Sequence, residues 1–146
     1  MRYTGISLFI FILLSTSACT TETESSVDKN AAQSNFRAIN NDDTATLNIT
    51  LNQKGFYGQL EINHRGLFKD SGDVNGVLKG DTLMGTFHYQ SYGIDQKYRI
   101  PIALLKNKNQ LIMGNGKMII KMNMTFFAKE VPIDYKNPLF VFEKKE

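Results

Sequence analysis

The sequence predicts an all-β fold, an antiparallel meander of about eight strands that forms a closed or partly closed small barrel. After residue 34, apolar and polar residues alternate with a period of two, which is typical of strands with one buried face. Glycine, asparagine and aspartate separate these runs, and no amphipathic helix is evident. Short strands without a helix to cover an edge favour closure into a barrel, and a β-sandwich is the alternative.

Each strand is predicted from a run that has one apolar face. Leu47, Ile49 and Leu51, for example, share one face of the first run. The same pattern predicts strands at 45–53, 56–64, 73–79, 82–91, 96–106, 110–115, 117–128 and 138–143. Residues 36–39 fit either a short helical turn or a lead-in strand.

Turn residues mark the links between the predicted strands. Gly80 and Asp81 predict a hairpin turn, in which glycine supplies a positive φ. Residues 71–73 also predict a turn, in which the solvated carboxylates of Asp70 and Asp73 flank Ser71 and Gly72. Gly76 and Gly85 fall within strands, where glycine permits a bulge, a bend or a close approach of neighbouring groups.

The N-terminus predicts export from the cytoplasm. Arg2 supplies a positive start, residues 6–14 are apolar, and residues 15–18 are small, as in a secretory signal. The apolar run is shorter than the ~20 residues that a membrane-spanning helix needs. The only cysteine of the chain, Cys19, follows Ala18 directly. Residues 1–18 are therefore interpreted as a signal peptide.

Small residues followed by cysteine resemble a bacterial lipobox, here carried by residues 15–19. The resemblance implies cleavage between Ala18 and Cys19 and acylation of Cys19 with palmitate-type chains. Ordinary cleavage after Ala18 with a free thiol and an uncleaved anchor are the two alternatives. Residues 19–34 are polar and small, so they predict a flexible tether between the membrane anchor and a barrel domain at 35–146.

The residues that follow Cys19 indicate the membrane to which the protein is sorted. Thr20 stands where aspartate retains lipoproteins in the inner membrane, and by that resemblance the protein is expected at the outer membrane. Glu22 and Glu24 resemble surface-export tags of Bacteroidota lipoproteins, although a solvated tether explains them equally well. The periplasmic and the surface face therefore both remain open.

A second resemblance lies in residues 72–93, which contain a Gly-x-x-x-Gly-Asp-Thr-Leu motif from Gly76 to Leu83. This segment, followed by Arg99 in an apolar strand, resembles small envelope lipoproteins of Bacteroidota. That family carries no assigned activity, so the resemblance implies location and a β-domain only. The predicted barrel is also loosely similar to calycin or lipocalin-like barrels.

Composition argues against several classes of function. The net charge of +3, which falls to +2 without Arg2 of the signal, is too small and scattered for nucleic-acid binding. His64 and His88 lack the spacing of metal ligands, and no Ser-His-Asp set is evident. We therefore predict no cofactor and no enzyme activity, with a hydrolase as a remote alternative.

The residues that remain as candidates are apolar or cationic. Methionine adapts to irregular apolar pockets, so the Met-rich run at 117–128 could line a ligand site or simply fill the core. Arg99 alternates with apolar neighbours, at a barrel mouth or on the outer face. The candidate lining residues are Met118, Met122, Met124, Phe87 and Arg99.

The function expected from these observations is that of a non-catalytic binding module. It would hold a small apolar ligand, or an envelope partner, at the end of its lipid anchor. The alternative is a structural or interaction lipoprotein with a filled core and no ligand. An apolar cavity of a few hundred Å³ favours the first function. A filled barrel with an exposed apolar patch favours the second.

Overall fold

The computed structural model describes residues 32–145, which form ten strands and no helix. Within this range, therefore, no helix of the length and apolar character needed to span a membrane occurs. The strands are β1 (Ala32–Asn40), β2 (Asp43–Leu51), β3 (Gly55–His64), β4 (Phe68–Lys79), β5 (Thr82–Ser91), β6 (Lys97–Asn107), β7 (Gln110–Met113), β8 (Met118–Lys121), β9 (Met124–Phe127) and β10 (Phe140–Lys144). The predicted all-β class is confirmed.

Eight of these strands close into an antiparallel barrel in the order β1-β10-β7-β6-β5-β4-β3-β2, and β8 pairs only with β9 in a separate hairpin. The predicted meander and closed barrel are confirmed, and the sandwich alternative is wrong. The links at 41–42, 65–67 and 92–96 lie at one end of the barrel, the loop end, where the 114–139 segment also leaves β7 and returns to β10. The first residue of β1 and the last of β10 lie at the opposite, terminal end.

Three of the differences from the prediction arise because long-range pairing decides where strands begin and end. β1 begins at Ala32, so residues 32–34 of the predicted tether lie in the barrel, where they pair with β2. The turn predicted at 71–73 is wrong: Ser71 pairs with both Glu61 and Gln90 inside the long strand β4. The single strand predicted at 117–128 is also wrong, because β8 and β9 turn at Met122 and Asn123.

The barrel interior is filled by the apolar faces that the alternation predicts. Leu47, Leu83, Phe87 and Phe142 are among the side chains with almost no solvent exposure. Strands β2 to β6 contribute alternate residues to this core, and β10 adds Phe142 where it closes the barrel. An eight-stranded barrel is just wide enough to be filled in this way.

Phe56 lies across two inward-facing glycines in neighbouring strands. Gly76 pairs with Gly85, and a Cβ at either position would crowd the Phe56 ring, at 2.7 and 2.9 Å respectively. The absence of side chains on both glycines thus makes room for the ring. Of the roles that the sequence allowed for these glycines, close approach is the one observed.

The 114–139 segment carries the β8–β9 hairpin and is held to the barrel at its base. The N–H of Asn115 and that of Asp134 each donate to the other's carbonyl, both at 2.8 Å. Gly114 lies so close to Ile133 and Tyr135 that a Cβ there would overlap both side chains. This base fixes the position of the hairpin beside β6.

Asp134 closes the turn that follows this base. Its Oδ1 accepts from the N–H groups of Lys136, at 2.7 Å, and of Asn137, at 3.2 Å. Its Oδ2 accepts from Asn137 Nδ2 at 2.8 Å. These hydrogen bonds, above all the one from the Asn137 side chain, hold the pKa of Asp134 below its usual range.

Candidate ligand-binding groove

Of the five candidate lining residues, the structure brings Arg99 and Met124 to the same cavities and places Phe87, Met118 and Met122 elsewhere. Phe87 lies in the barrel core, and Arg99 lies on the exposed outer face of β6. Met118 and Met124 belong to the exposed β8–β9 hairpin, and Met122 lies at its tip. Lipidation at Cys19 and cleavage after Ala18 lie outside the described residues.

The hairpin turn is built from two residues with left-handed backbone conformation. Met122 has φ 51° and Asn123 has φ 58°, as the favoured two-residue turn between antiparallel strands requires. Asparagine tolerates this conformation, whereas for methionine it costs about 1–2 kcal/mol. Met122 is nevertheless 83% exposed, so an apolar side chain is held in solvent at a cost to the backbone.

One face of the hairpin covers the outer surface of β4, β5 and β6 and leaves an apolar groove beneath it. Its volume is about 920 Å³. The floor includes Met84 and the buried Pro101, and the roof includes Ile119, Met124 and Phe126. Ile119 pairs with Phe126 across the hairpin, so both side chains lie on the same face. We refer to this cavity as the outer groove.

Most charges that line the outer groove are positive. Its cations are Lys79, Arg99, Lys121 and Lys129, and its one carboxylate is that of Glu130. The lining therefore combines an apolar surface with a cationic rim. Small-molecule sites typically have this composition, with a few placed polar groups around an apolar interior, and typically measure about 300–1,000 Å³.

A second, more polar cavity of about 780 Å³ adjoins the outer groove. We refer to it as the polar cavity. It lies between the hairpin tip and the outer faces of β4, β5 and β6, and its lining includes His88, Lys97 and Asn123. Arg99, Met124 and Thr125 line both cavities. Arg99 therefore lies where the apolar space meets the polar space.

Polar side chains from four strands meet at the barrel's loop end. His64 Nε2 lies 3.0 Å from Asp70 Oδ2, and His64 Nδ1 lies 3.6 Å from Asp43 Oδ2. The Ser91 hydroxyl donates to Asp70 Oδ1 at 2.5 Å. In a nucleophilic triad the histidine lies between the serine and the acid. Here Asp70 occupies the middle, so His64 has no direct contact through which to take the serine proton.

Aromatic residues lie beside this polar cluster. The Tyr89 ring stacks between those of Phe87, at a centroid distance of 4.8 Å, and Tyr98, at 5.4 Å. Burial raises the pKa of the Tyr89 hydroxyl, and the nearby Asp70 and Tyr98 raise it further. Tyr89 is therefore neutral at physiological pH and gives the cluster no additional charge.

The described residues contain no group of three or more His, Cys, Asp or Glu side chains arranged to hold a metal ion. Asp43, His64 and Asp70 come nearest to such a group, but they are joined to one another by the contacts given above. His64 and Asp70 lie within hydrogen-bond distance and Asp43 lies at ion-pair distance from His64, so these inward polar groups at the barrel rim have partners in one another.

Sequence reasoning missed both the outer groove and the polar cluster. Asp43, His64, Asp70 and Ser91 come from four strands and meet only after the register is set. The groove needs the docked hairpin, and the sequence predicts one continuous strand in its place. Asn123, an asparagine within an apolar run, was the one local signal for the turn.

Comparisons of the chain with models of protein families, with curated proteins and with solved structures gave no match. The resemblances to Bacteroidota lipoproteins and to calycin barrels therefore stay predictions.

Proposed function

We propose that this protein is a lipid-anchored, non-catalytic binding protein of the cell envelope. Its ligand is a small apolar molecule that occupies the outer groove. The observation that carries the proposal is the apolar groove of about 920 Å³ on the outside of a barrel whose interior is filled by side chains. A ligand inside the barrel would have to displace Phe87 or its neighbours, whereas the groove is already open.

The side chains around the groove suit ligands of different shapes. Met124 and Phe126 come from the hairpin, and Met84 faces them from β5. Methionine side chains are flexible and polarizable, so they conform to different apolar surfaces. The polar cluster at the loop end favours binding over catalysis, because the order of its serine, aspartate and histidine differs from that of a triad.

The proposed site can be tested with N-phenyl-1-naphthylamine, a neutral apolar dye that fluoresces when it leaves water. The full chain carrying Cys19→Ala serves as the background for every variant, so that no lipid is attached at residue 19. Ile119→Asp puts a charge into the groove's apolar roof, and we expect dye affinity to fall about tenfold. Fluorescence titration measures this change.

Ile39→Asp is the matched control for Ile119→Asp. Ile39 is 63% exposed on β1, across the barrel from β5, and it does not line the groove. Its substitution is expected to leave dye affinity unchanged. Equal affinities in the two variants would place the dye outside the groove and refute the proposed site. Absence of dye binding to the background chain would also refute the proposal.

The filled-core interaction protein is the second candidate. Two loop-end residues, Leu67 at 80% exposure and Tyr92 at 86%, together with Met122 at the hairpin tip, form apolar points that a partner could cover. This candidate becomes the preferred one if the dye does not bind.

The proposed anchor is at Cys19, and the proposed location is the outer membrane. Support comes from the signal-like residues 1–18 and from the small residues before the only cysteine. β1 starts at the terminal end, so an anchor at Cys19 would leave the loop end free to face away from the membrane.

The anchor predicts that the full chain takes up labelled palmitate in a Gram-negative host. Cys19→Ala is expected to abolish the label, because the thiol is the acylated group. Gel autoradiography of the membrane fraction measures it. Label retained in Cys19→Ala, or none in the unmodified chain, would contradict the proposed lipidation.

A further inference from the structure

Arg99 is the charged residue shared by the two cavities outside the barrel. It lies on the outer face of β6, opposite His88 of β5, and lines both the outer groove and the polar cavity. Within residues 32–145, no carboxylate lies within ion-pair distance of its guanidinium group. An exposed guanidinium group at the mouth of an apolar space is suited to bind an anion.

The charges around Arg99 favour a negative ligand. In the polar cavity, Lys97 adds a second cation, and Asp73 is the one carboxylate. Asp73 already accepts a hydrogen bond from Gln59 Nε2, and it lies beyond His88 from Arg99 in the cross-strand row. On the groove side, Lys79 and Lys121 outnumber Glu130. Both sides of Arg99 are therefore predominantly cationic.

We propose that the ligand is an anionic amphiphile with a single alkyl chain. The chain lies in the outer groove, and the acidic head group binds the Arg99 guanidinium group where the polar cavity begins. This inference rests on the proposed function, and it adds the chemical class of the ligand and the residue that recognises its head group.

The chemistry of the two cavities supports each part of this ligand. An alkyl chain gains free energy by leaving water for the apolar lining of Met84, Ile119 and Phe126. A carboxylate or a phosphate can form two parallel hydrogen bonds with a planar guanidinium group, which fixes the orientation of the head group. A neutral head group lacks this interaction, and a cationic one is repelled by Arg99 and Lys97.

Competition against bound N-phenyl-1-naphthylamine tests the class of ligand. The competitors share a ten-carbon chain and differ in head group: decanoate, decyl phosphate, decanol and decyltrimethylammonium. We expect the two anions to compete about tenfold more strongly than decanol, and the cation to compete least. Decanoate and decyl phosphate distinguish a carboxylate ligand from a phosphate ligand.

Arg99→Gln removes the charge, and we expect it to reduce decanoate to the strength of decanol when both competitors are measured against dye bound to the same variant. Arg99→Lys is expected to restore part of the preference, because lysine keeps the charge without the planar group. The matched control is Arg37→Gln, since Arg37 is exposed on β1 and lines neither cavity. It is expected to leave the preference intact.

The outcomes separate this inference from the proposed function. Equal competition by decanoate and decanol, or an anion preference that survives Arg99→Gln, would overturn the anionic ligand while the groove remains occupied by dye. A chain that binds neither dye nor amphiphile would overturn the proposed function itself. An anion preference that disappears in Arg99→Gln and persists in Arg37→Gln would support the inference.

Discussion

Phe87→Ala is expected to lower the free energy of unfolding by about 3–5 kcal/mol. Phe87 is 1% exposed and packs in the middle of the barrel core, where its ring stacks on Tyr89. Alanine removes the apolar contacts of the ring and leaves a cavity that a closed barrel cannot easily collapse. Chemical denaturation, monitored by circular dichroism, measures the change.

The same variant distinguishes a core residue from a ligand-lining one. Since Phe87 does not line the outer groove, affinity for N-phenyl-1-naphthylamine is expected to stay unchanged in the folded protein. Phe87→Leu provides a milder change if the alanine variant does not fold. Weaker dye binding by folded Phe87→Leu would place the ligand inside the barrel and contradict the filled core.

Phe68→Ala is the matched control for the loss of a phenylalanine ring. Phe68 is half-exposed at the barrel rim, and its ring stacks on His64 at a centroid distance of 4.3 Å. A stacked aromatic pair contributes about 0.5–1.5 kcal/mol, so a loss of about 1 kcal/mol is expected. Equal losses in the two variants would contradict the burial that separates Phe68 from Phe87.

The barrel could be predicted from sequence because burial with a period of two is a local pattern. Leu47 and Ile49 lie inside and their polar neighbours outside, as the alternation requires. The turn at Gly80 was equally local, since its φ of 58° is a conformation that glycine adopts readily. Closure followed from the number of strands and the absence of covering helices.

Features set by distant residues could not be predicted in the same way. The Ser71–Gly72 pair has the composition of a turn, yet β3 and β5 pair with it from both sides. The hairpin turn at Met122 carries a residue that rarely adopts a positive φ. In both places tertiary context overrides the local preference of the chain.

The candidate site shows the same division. The Met-rich run stands out in the sequence, but its alternation indicates one strand, and only the docked hairpin creates the groove. Arg99 was selected for its charge among apolar neighbours, while its face remained open until the register with His88 placed it outside. Residue types thus indicated which side chains were unusual, and pairing determined which cavities they line.

Gly76→Ala is expected to lower the free energy of unfolding by about 3 kcal/mol. A Cβ at this position would overlap the Met84 carbonyl oxygen of the paired strand and lie 2.7 Å from the Phe56 ring. The ring can shift, but the carbonyl belongs to a strand that is hydrogen-bonded within the barrel. Chemical denaturation measures the effect, and a loss below 1 kcal/mol would contradict the crowding at Gly76.

Gly80→Ala is the control that distinguishes a steric clash of the new side chain from backbone strain alone. Gly80 has φ 58°, and an alanine Cβ there would have no other group within 4 Å, so only the left-handed backbone opposes the substitution. A cost of about 1–2 kcal/mol is expected there. In a Phe56→Leu background, Gly76→Ala should cost less than in the unmodified chain but should still destabilise, because the smaller side chain removes the contact with the ring and leaves the Met84 oxygen in place. No cost in that background would instead make the Phe56 ring the sole obstacle to a side chain at Gly76.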